Sequence, residues 1–433
     1  MSLRNKLFAD GLYWFVFRMA NMGIAALLGI LTARFLGPHG RGIYSLPVVA
    51  FAVATAAFPG LNSAVAYFLL RRKAGRGTVS AALKCAAIFV AGAVPVVVAI
   101  AYGMHAPWAA IPAILALPSP AIIGIVNGFQ IGLDRVRMVT QVAVFNTLFL
   151  LMLMLAAFAL LGHVPVAAIA SWVVGQNLFA LGALIWMLRK SRSLPEGSVS
   201  TREFLTYSLR VGAVSLISLL NYRADVFIVA ALGGPTLLGM YTLAVTAAEM
   251  LLATTQVTAN VSSPQIGGME SSSAAAQLTA RLVRNNVIIA SVTCALLWVF
   301  APIAVGLLYG HAFLPMIPAF RVLLIGVFAM SLGSPMSTYF TIRLGRPQVP
   351  MILAGLSATI CVVVSFLLVG RLGLVGAAIG STLGYVIGQS IAIAYFTRVA
   401  NLRVSLLLLP RWSDLTAYAL ASGSIIRRLK RAA

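Results

Sequence analysis

Gly37-Pro38-His39-Gly40-Arg41-Gly42-Ile43-Tyr44-Ser45-Leu46 returns 197 residues later as Gly234-Pro235-Thr236-Leu237-Leu238-Gly239-Met240-Tyr241-Thr242-Leu243. Gly-Pro, three variable residues, Gly, an apolar residue, Tyr, a hydroxyl residue and Leu keep their places in both copies. A long apolar run precedes each turn and another follows it. The pattern marks a duplicated unit built from apolar helices, and the number of helices per copy decides the architecture.

Of 433 residues, 61% are hydrophobic and only 9% are charged, with a mean hydropathy of +1.00. That composition belongs to a polytopic membrane protein. The three cysteines, Cys85, Cys294 and Cys361, fall far apart in apolar runs and read as small core residues. The opening Met-Ser-Leu-Arg-Asn-Lys leads into an apolar run too long for a signal peptide, so it reads as a retained first helix.

Apolar runs of about 20 residues, enough to cross a bilayer, can be placed twelve times. They fall at 11–35, 43–70, 79–103, 108–131, 138–162, 165–188, 204–232, 236–261, 285–309, 318–342, 348–369 and 374–397. The longest connections are expected at 189–203 and 262–284. With the N-terminus in the cytoplasm, the inside segments hold 25 of the 31 lysines and arginines. The outside loops hold Arg34, Arg41, Arg321 and Arg371, while Arg18 and Arg223 lie within spans. The bias places both termini in the cytoplasm. It also accounts for much of the net charge of +23 without a nucleic-acid partner.

The expected fold is therefore an all-α polytopic membrane protein, with about 12 transmembrane helices in two pseudo-symmetric six-helix halves around a central cavity. The halves run over 1–190 and 204–398, joined by a cytoplasmic linker at 191–203. A basic cytoplasmic tail at 399–433 reads as lying along the inner leaflet. Six spans per half give both copies one orientation, so the symmetry axis should run along the membrane normal. Ala167-Ala168-Ile169-Ala170-Ser171 against Ala377-Ala378-Ile379-Gly380-Ser381 is a second match, and Leu133-Asp134-Arg135 against Leu344-Gly345-Arg346 a weaker third. Gly376, Gly380, Gly384 and Gly388 line one face of the last helix, a pattern for close packing within the molecule. Ser119-Pro120 and Ser334-Pro335 interrupt the fourth and tenth spans and are candidate bending points.

A charged side chain at the bilayer centre costs about 2.5–3.5 kcal/mol on insertion scales, so such residues face a cavity or a partner. Four are candidates: Arg18, Arg223, Asp225 and Glu249. Ser215, Ser218, Asn221 and Asp225 form a stripe on the seventh span. Thr242, Thr246, Glu249, Gln256 and Asn260 form another on the eighth, and an offset of 197 sets Arg18 and Asn21 opposite Ser215 and Ser218. Asp225 is open between a structural pairing and a place in a polar lumen. Arg18 and Glu249 read as lumen groups.

Ala33-Arg34-Phe35-Leu36-Gly37-Pro38 with Gly42-Ile43-Tyr44-Ser45 carries a resemblance to a known family. So do Asn221-Tyr222-Arg223-Ala224-Asp225 with Leu238-Gly239-Met240-Tyr241, and Gly373-Leu374-Val375-Gly376-Ala377-Ala378. The chain resembles bacterial polysaccharide (O-antigen type) lipid-linked oligosaccharide flippases of the multidrug/oligosaccharidyl-lipid/polysaccharide exporter superfamily. The resemblance implies a cavity that opens alternately to each side of the bacterial cytoplasmic (inner) membrane. It implies a glycan on undecaprenyl pyrophosphate as substrate, in lipopolysaccharide or exopolysaccharide synthesis, with a polysaccharide polymerase and glycosyltransferases as partners. It also implies cavity arginines on the pyrophosphate, for which Arg18 and Arg223 are the candidates, since a guanidinium fork suits phosphate oxygens. Asn21, Asn221, Gln256 and Asn260 complete the expected substrate-binding set.

No G-x-x-x-x-G-K-[ST] loop occurs, so energy is expected from an ion gradient, the membrane potential or product consumption. Glu249 and Asp225 are the candidates to carry a proton or sodium ion. No cofactor or metal is expected. The competing reading is a cation-coupled multidrug antiporter of the same superfamily. A membrane enzyme is disfavoured, because the outside loops are short and hold no acid.

Overall fold

The computed structural model of the chain describes residues 3–71, 75–269 and 271–409. Its elements are helices: α1 (Leu3–Ala54), α2 (Pro59–Leu70), α3 (Gly75–Gly103), α4 (Ala110–Ala116), α5 (Pro118–Gly132), α6 (Val136–Leu161), α7 (Pro165–Ser191) and α8 (Thr201–Leu232). Then follow α9 (Gly234–Gly268), α10 (Ser272–Leu308), α11 (Ile317–Ser331), α12 (Gly333–Thr338), α13 (Gln348–Leu372), α14 (Leu374–Ala400) and α15 (Val404–Leu408). The tail from residue 410 on, with its expected place on the inner leaflet, lies outside the described residues, as do Arg72 and Lys73.

Among the described residues, ten helical segments are long and apolar enough to cross a bilayer, and the bent α8 makes eleven. Helix α1 contains two spans, because Gly37 breaks it with φ 63° and ψ −179°. Dividing it there gives the twelve spans that hydropathy predicts. Their outer surface is apolar: Ile111, Leu160, Val166, Leu307 and Phe366 are between 62% and 84% exposed. Such a surface needs lipid as its solvent.

Three local expectations meet a mixed outcome. The fourth and tenth spans are broken where their prolines stand, between α4 and α5 at Leu117 and between α11 and α12 at Leu332. The second span, placed at 43–70, is interrupted by turns at 55–58, and α2 restarts with Pro59 at its first position. The long connection expected at 262–284 is a correction: α9 runs on to Gly268 and α10 starts at Ser272. Ser, Gln and Arg lower the hydropathy there, but Ala274-Ala275-Ala276 and the neighbours are good helix formers.

The described chain separates into two compact units. The first comprises Met1–Leu243, Pro302–Ile317 and Val364–Ala377; the second comprises Ala244–Ala301, Pro318–Val363 and Ala378–Ala433. In the second unit, Ala275 and Val283 of α10, Tyr339 and Phe340, and Phe396 of α14 share one core. Tyr339 meets Phe396 edge-on at 5.2 Å. Asn286 Nδ2 donates to the Ser331 carbonyl at 3.1 Å. The glycine stripe of α14 packs on α13: a Cβ at Gly384 would stand 2.5 Å from the Ser357 carbonyl oxygen. In the first unit, one at Gly376 would stand 2.4 Å from that of Leu368.

The repeated turns meet in the first unit. A Cβ at Gly42 would lie 1.7 Å from the Pro235 carbonyl oxygen, and one at Gly239 would lie 2.1 Å from that of Pro38. Gly42 and Gly239 are equivalent in the repeat, as are Pro38 and Pro235. His39 Nδ1 stands 3.2 Å from Thr236 Oγ1, and these two positions are also equivalent. Reciprocal contacts between equivalent residues are the mark of a local two-fold axis, which runs beside His39 and Thr236. The first glycine of each motif serves a different need. Gly37 and Gly234 have φ of 63° and 72° with open space around them, so they are required by conformation and not by room.

Gly42→Ala and Gly239→Ala should each cost about 1–3 kcal/mol, because backbone stands where the methyl would go. The expected readout is a lowered melting temperature of the detergent-solubilised chain. Gly23→Ala, with nothing within 4 Å of its added methyl, should melt as the parent or slightly above it. Coincident melts for Gly42→Ala and Gly23→Ala would refute the interlock.

Candidate functional site

The α8–α9 hairpin brings a carboxylate and a phenol together. Asp225 stands nine positions before Gly234 and Tyr241 seven after it, so folding back at this turn sets them side by side. Tyr241 Oη donates to Asp225 Oδ2 at 2.6 Å, a length at the short, strong end for O–H···O bonds. The Val226 amide donates to Asp225 Oδ1 at 2.8 Å. Asp225 is 1% exposed and Tyr241 is fully buried. The sequence reading nominated the acid and missed its partner, although Tyr241 belongs to the repeated motif.

The equivalent turn of the first copy buries a charge of the opposite sign. Arg41 donates to Thr32 Oγ1 and, at 3.3 Å, to the Gly29 carbonyl. It is 9% exposed, and its Nε finds no acceptor among the described residues. Hydropathy places Arg41 in an outside loop; the structure corrects that, because the helix resumes directly after Gly37 and carries Arg41 inward. Nearby, Arg34 Nε donates to the Leu308 carbonyl at 3.0 Å and its Nη2 to that of Leu307. A guanidinium at the last carbonyls of α10 suits the negative end of that helix.

The other nominated residues take varied places. Arg18 is exposed on α1, and Asn21 Oδ1 accepts from Thr147 Oγ1 of α6 at 2.7 Å. Asn221 is buried and Arg223 half-buried on α8, within two turns of Asp225. Ser215 and Ser218, expected in the same polar stripe, turn back onto the carbonyls of Val211 and Val214 at 3.4 and 3.0 Å. Glu249 is half-buried on the part of α9 that belongs to the second unit. The side chains of Gln256 and Asn260 lie outside the described residues.

Tyr241→Phe keeps the ring and removes one donor from a buried carboxylate, which should cost about 1–3 kcal/mol of stability. Asp225→Asn in the Tyr241→Phe background should cost less than in the parent, by about 0.5–3 kcal/mol of coupling. Unfolding curves of the four proteins in one detergent measure the difference. Strict additivity would mean that the bond contributes nothing.

The fold has relatives among solved structures. An inward-facing multidrug resistance MATE family transporter of the MOP superfamily superposes with a TM-score of 0.69 at 19% identity, over 88% of this chain and 94% of that one. An outward-facing conformation of such a transporter gives 0.64 at 17% identity, over 90% and 95%. MATE in complex with MaL6 gives 0.64 at 19% identity, over 90% and 96%. No curated protein matches in sequence. Residues 7–270 match the family described as polysaccharide biosynthesis protein. That stretch is more than half of the chain and includes both copies of the repeated turn, so the chain belongs to the polysaccharide biosynthesis protein family.

Proposed function

We propose that the chain flips an undecaprenyl-pyrophosphate-linked oligosaccharide from the cytoplasmic to the outer leaflet of a bacterial inner membrane. The product would feed O-antigen, lipopolysaccharide or exopolysaccharide synthesis. The observation that carries this reading is membership of a polysaccharide biosynthesis family on the fold of MATE transporters. Solved relatives of that fold occur facing inward and facing outward, which supports alternating access. The architecture also favours transport over catalysis. The longest non-helical connection among the described residues runs over 192–200, too short for a catalytic domain outside the membrane.

On this reading residues 1–190 and 204–398 are the two moving halves, joined by the linker at 191–203. Arg18 and Arg223 engage the pyrophosphate, and Asn21, Asn221, Gln256 and Asn260 contact the glycan. Asp225 and Glu249 are the ion-coupling candidates. A proton or sodium ion on Asp225 would compete with the Tyr241 hydroxyl for the same carboxylate. Loading would thereby loosen α8 from α9 at the repeated turn. Polymerase and glycosyltransferases would supply the substrate and consume the product.

The test is reconstitution with a fluorescent lipid-linked glycan, reading its appearance in the outer leaflet. Arg18→Ala and Glu249→Gln should each slow flipping by about tenfold or more, the loss of one charged contact. Unchanged rates would remove both residues from the mechanism. The second reading, multidrug antiport, rests on the fold shared with multidrug resistance MATE family transporters. A deletion strain should lose surface glycan and keep its resistance to cationic toxins. The reverse pattern would favour antiport.

A further inference from the structure

A cleft of about 430 Å³ opens between α5, α6 and α7 in the first unit, a size in the range of about 300–1,000 Å³ that ligand sites occupy. Its lining is graded along the helices. At one end stand Gln130, Gln141 and Trp186; at the other stand Phe149, Leu178 and Phe179. Gln141 lies five residues into α6 and Phe149 thirteen. At ~1.5 Å per residue the cleft therefore runs from about 8 to about 20 Å below the helix end. Trp186 lies five residues before the end of α7, at the same level as Gln141. A tryptophan at this depth suits the membrane–water interface.

The polar end holds an unmet requirement. Gln130 is 1% exposed, and its Oε1 is buried without a hydrogen-bond donor among the described residues. Gln141 is already engaged, donating to Tyr13 Oη at 2.6 Å. The mouth is basic as well. Helix α6 opens beside Asp134, Arg135 and Arg137, and α7 closes on Arg189 and Lys190. All five are exposed, so four cations stand against one acid, with Arg137 also 5.5 Å from the Tyr13 ring centre. The lysine and arginine bias assigns this end to the cytoplasm.

We propose that this cleft is an entry site on the cytoplasmic leaflet for a polyprenyl-pyrophosphate lipid, taking its isoprenoid tail before translocation. Three features fit one ligand. The apolar depth accepts the chain, and Gln141 and Trp186 mark the polar boundary at its end. The four cations beside that end outnumber the one acid, Asp134, and face a headgroup with several negative charges. A phosphodiester carries one charge and matches four cations less well than a pyrophosphate. The site rests on the transport reading for its ligand, and it names where that ligand docks first.

The experiment uses the full chain in nanodiscs and a polyprenyl pyrophosphate disaccharide carrying a benzophenone on its tail. Photolabelling should fall on the facing segments of α6 and α7. Gly182 lines the cleft, and an added Cβ there meets nothing within 4 Å. Gly182→Trp thus fills the cleft without displacing backbone, and should cut labelling by at least about tenfold, the loss of some two buried methylene contacts. Gly92→Trp on α3, exposed and equally open, should label as the parent and controls for folding. Undiminished labelling in Gly182→Trp overturns the site, as does equal competition by phosphatidylglycerol. Flipping is measured on the same purified protein reconstituted in sealed vesicles. A parent that flips without labelling this cleft overturns the site alone. Labelling without flipping supports the site and removes the transport reading.

Discussion

Two glycine–carbonyl contacts hold the first unit in register. Gly42 touches the Pro235 carbonyl and Gly239 touches that of Pro38, at distances that exclude any side chain. Such closeness lets two helix starts cross with backbone against backbone, where Cα–H···O contacts add a little attraction. Because the four residues are equivalent in pairs, the two contacts are one contact seen twice. The fold therefore does not need two separate solutions for its two copies. Proline contributes to the geometry, since it sits naturally at the first turn of a helix and leaves no N–H to satisfy.

Symmetry in the scaffold throws the differences into relief. Arg41 of the first copy faces Leu238 of the second in the alignment of repeats, and Asp225 faces Leu28. Each copy thus buries one charge near the same turn, with opposite sign. Arg41 reaches back to the helix before its turn, whereas Asp225 is held by the helix after it. A hydrophobic pair at either place would desolvate more cheaply. The retained charges make the two turns electrostatically different, which identical copies could not be.

The spans and the repeat were readable because both rest on local pattern. Twenty apolar residues are visible to any window, and a turn that needs a positive φ keeps its glycine in both copies. The segment 262–284 was not readable the same way, since hydropathy measures compatibility with lipid and not helicity. Arg41 escaped for a related reason: its burial depends on where the helix restarts after Gly37, a backbone fact that composition does not carry. The Tyr241 partner of Asp225 was recoverable. Counting outward from Gly234 along both helices brings the two residues level, and only the assumption that polar stripes face a lumen hid it. The cleft between α5, α6 and α7 had no sequence signal, because Phe145, Phe149 and Phe179 are common residues in lipid-facing helices.

On the proposed reading, a lipid-anchored substrate would explain how so apolar a chain could carry so polar a cargo. Its tail never leaves the hydrocarbon, so only the headgroup requires a polar path. Arg18, Arg41, Arg223, Asp225 and Glu249, the ionisable residues deep in the described spans, are few for a route that would strip a free ion of its water, but would suffice where a large hydrated glycan brings its own hydroxyls. On the same reading the basic mouth of the cleft would attract the headgroup while its aromatic depth would hold the chain, so capture would need no charge in the bilayer centre. The buried charges Arg41 and Asp225 stand beside the repeated turns. Sterics between glycine and carbonyl fix the scaffold at the repeated turn, and the buried charges beside it carry the difference between the two copies.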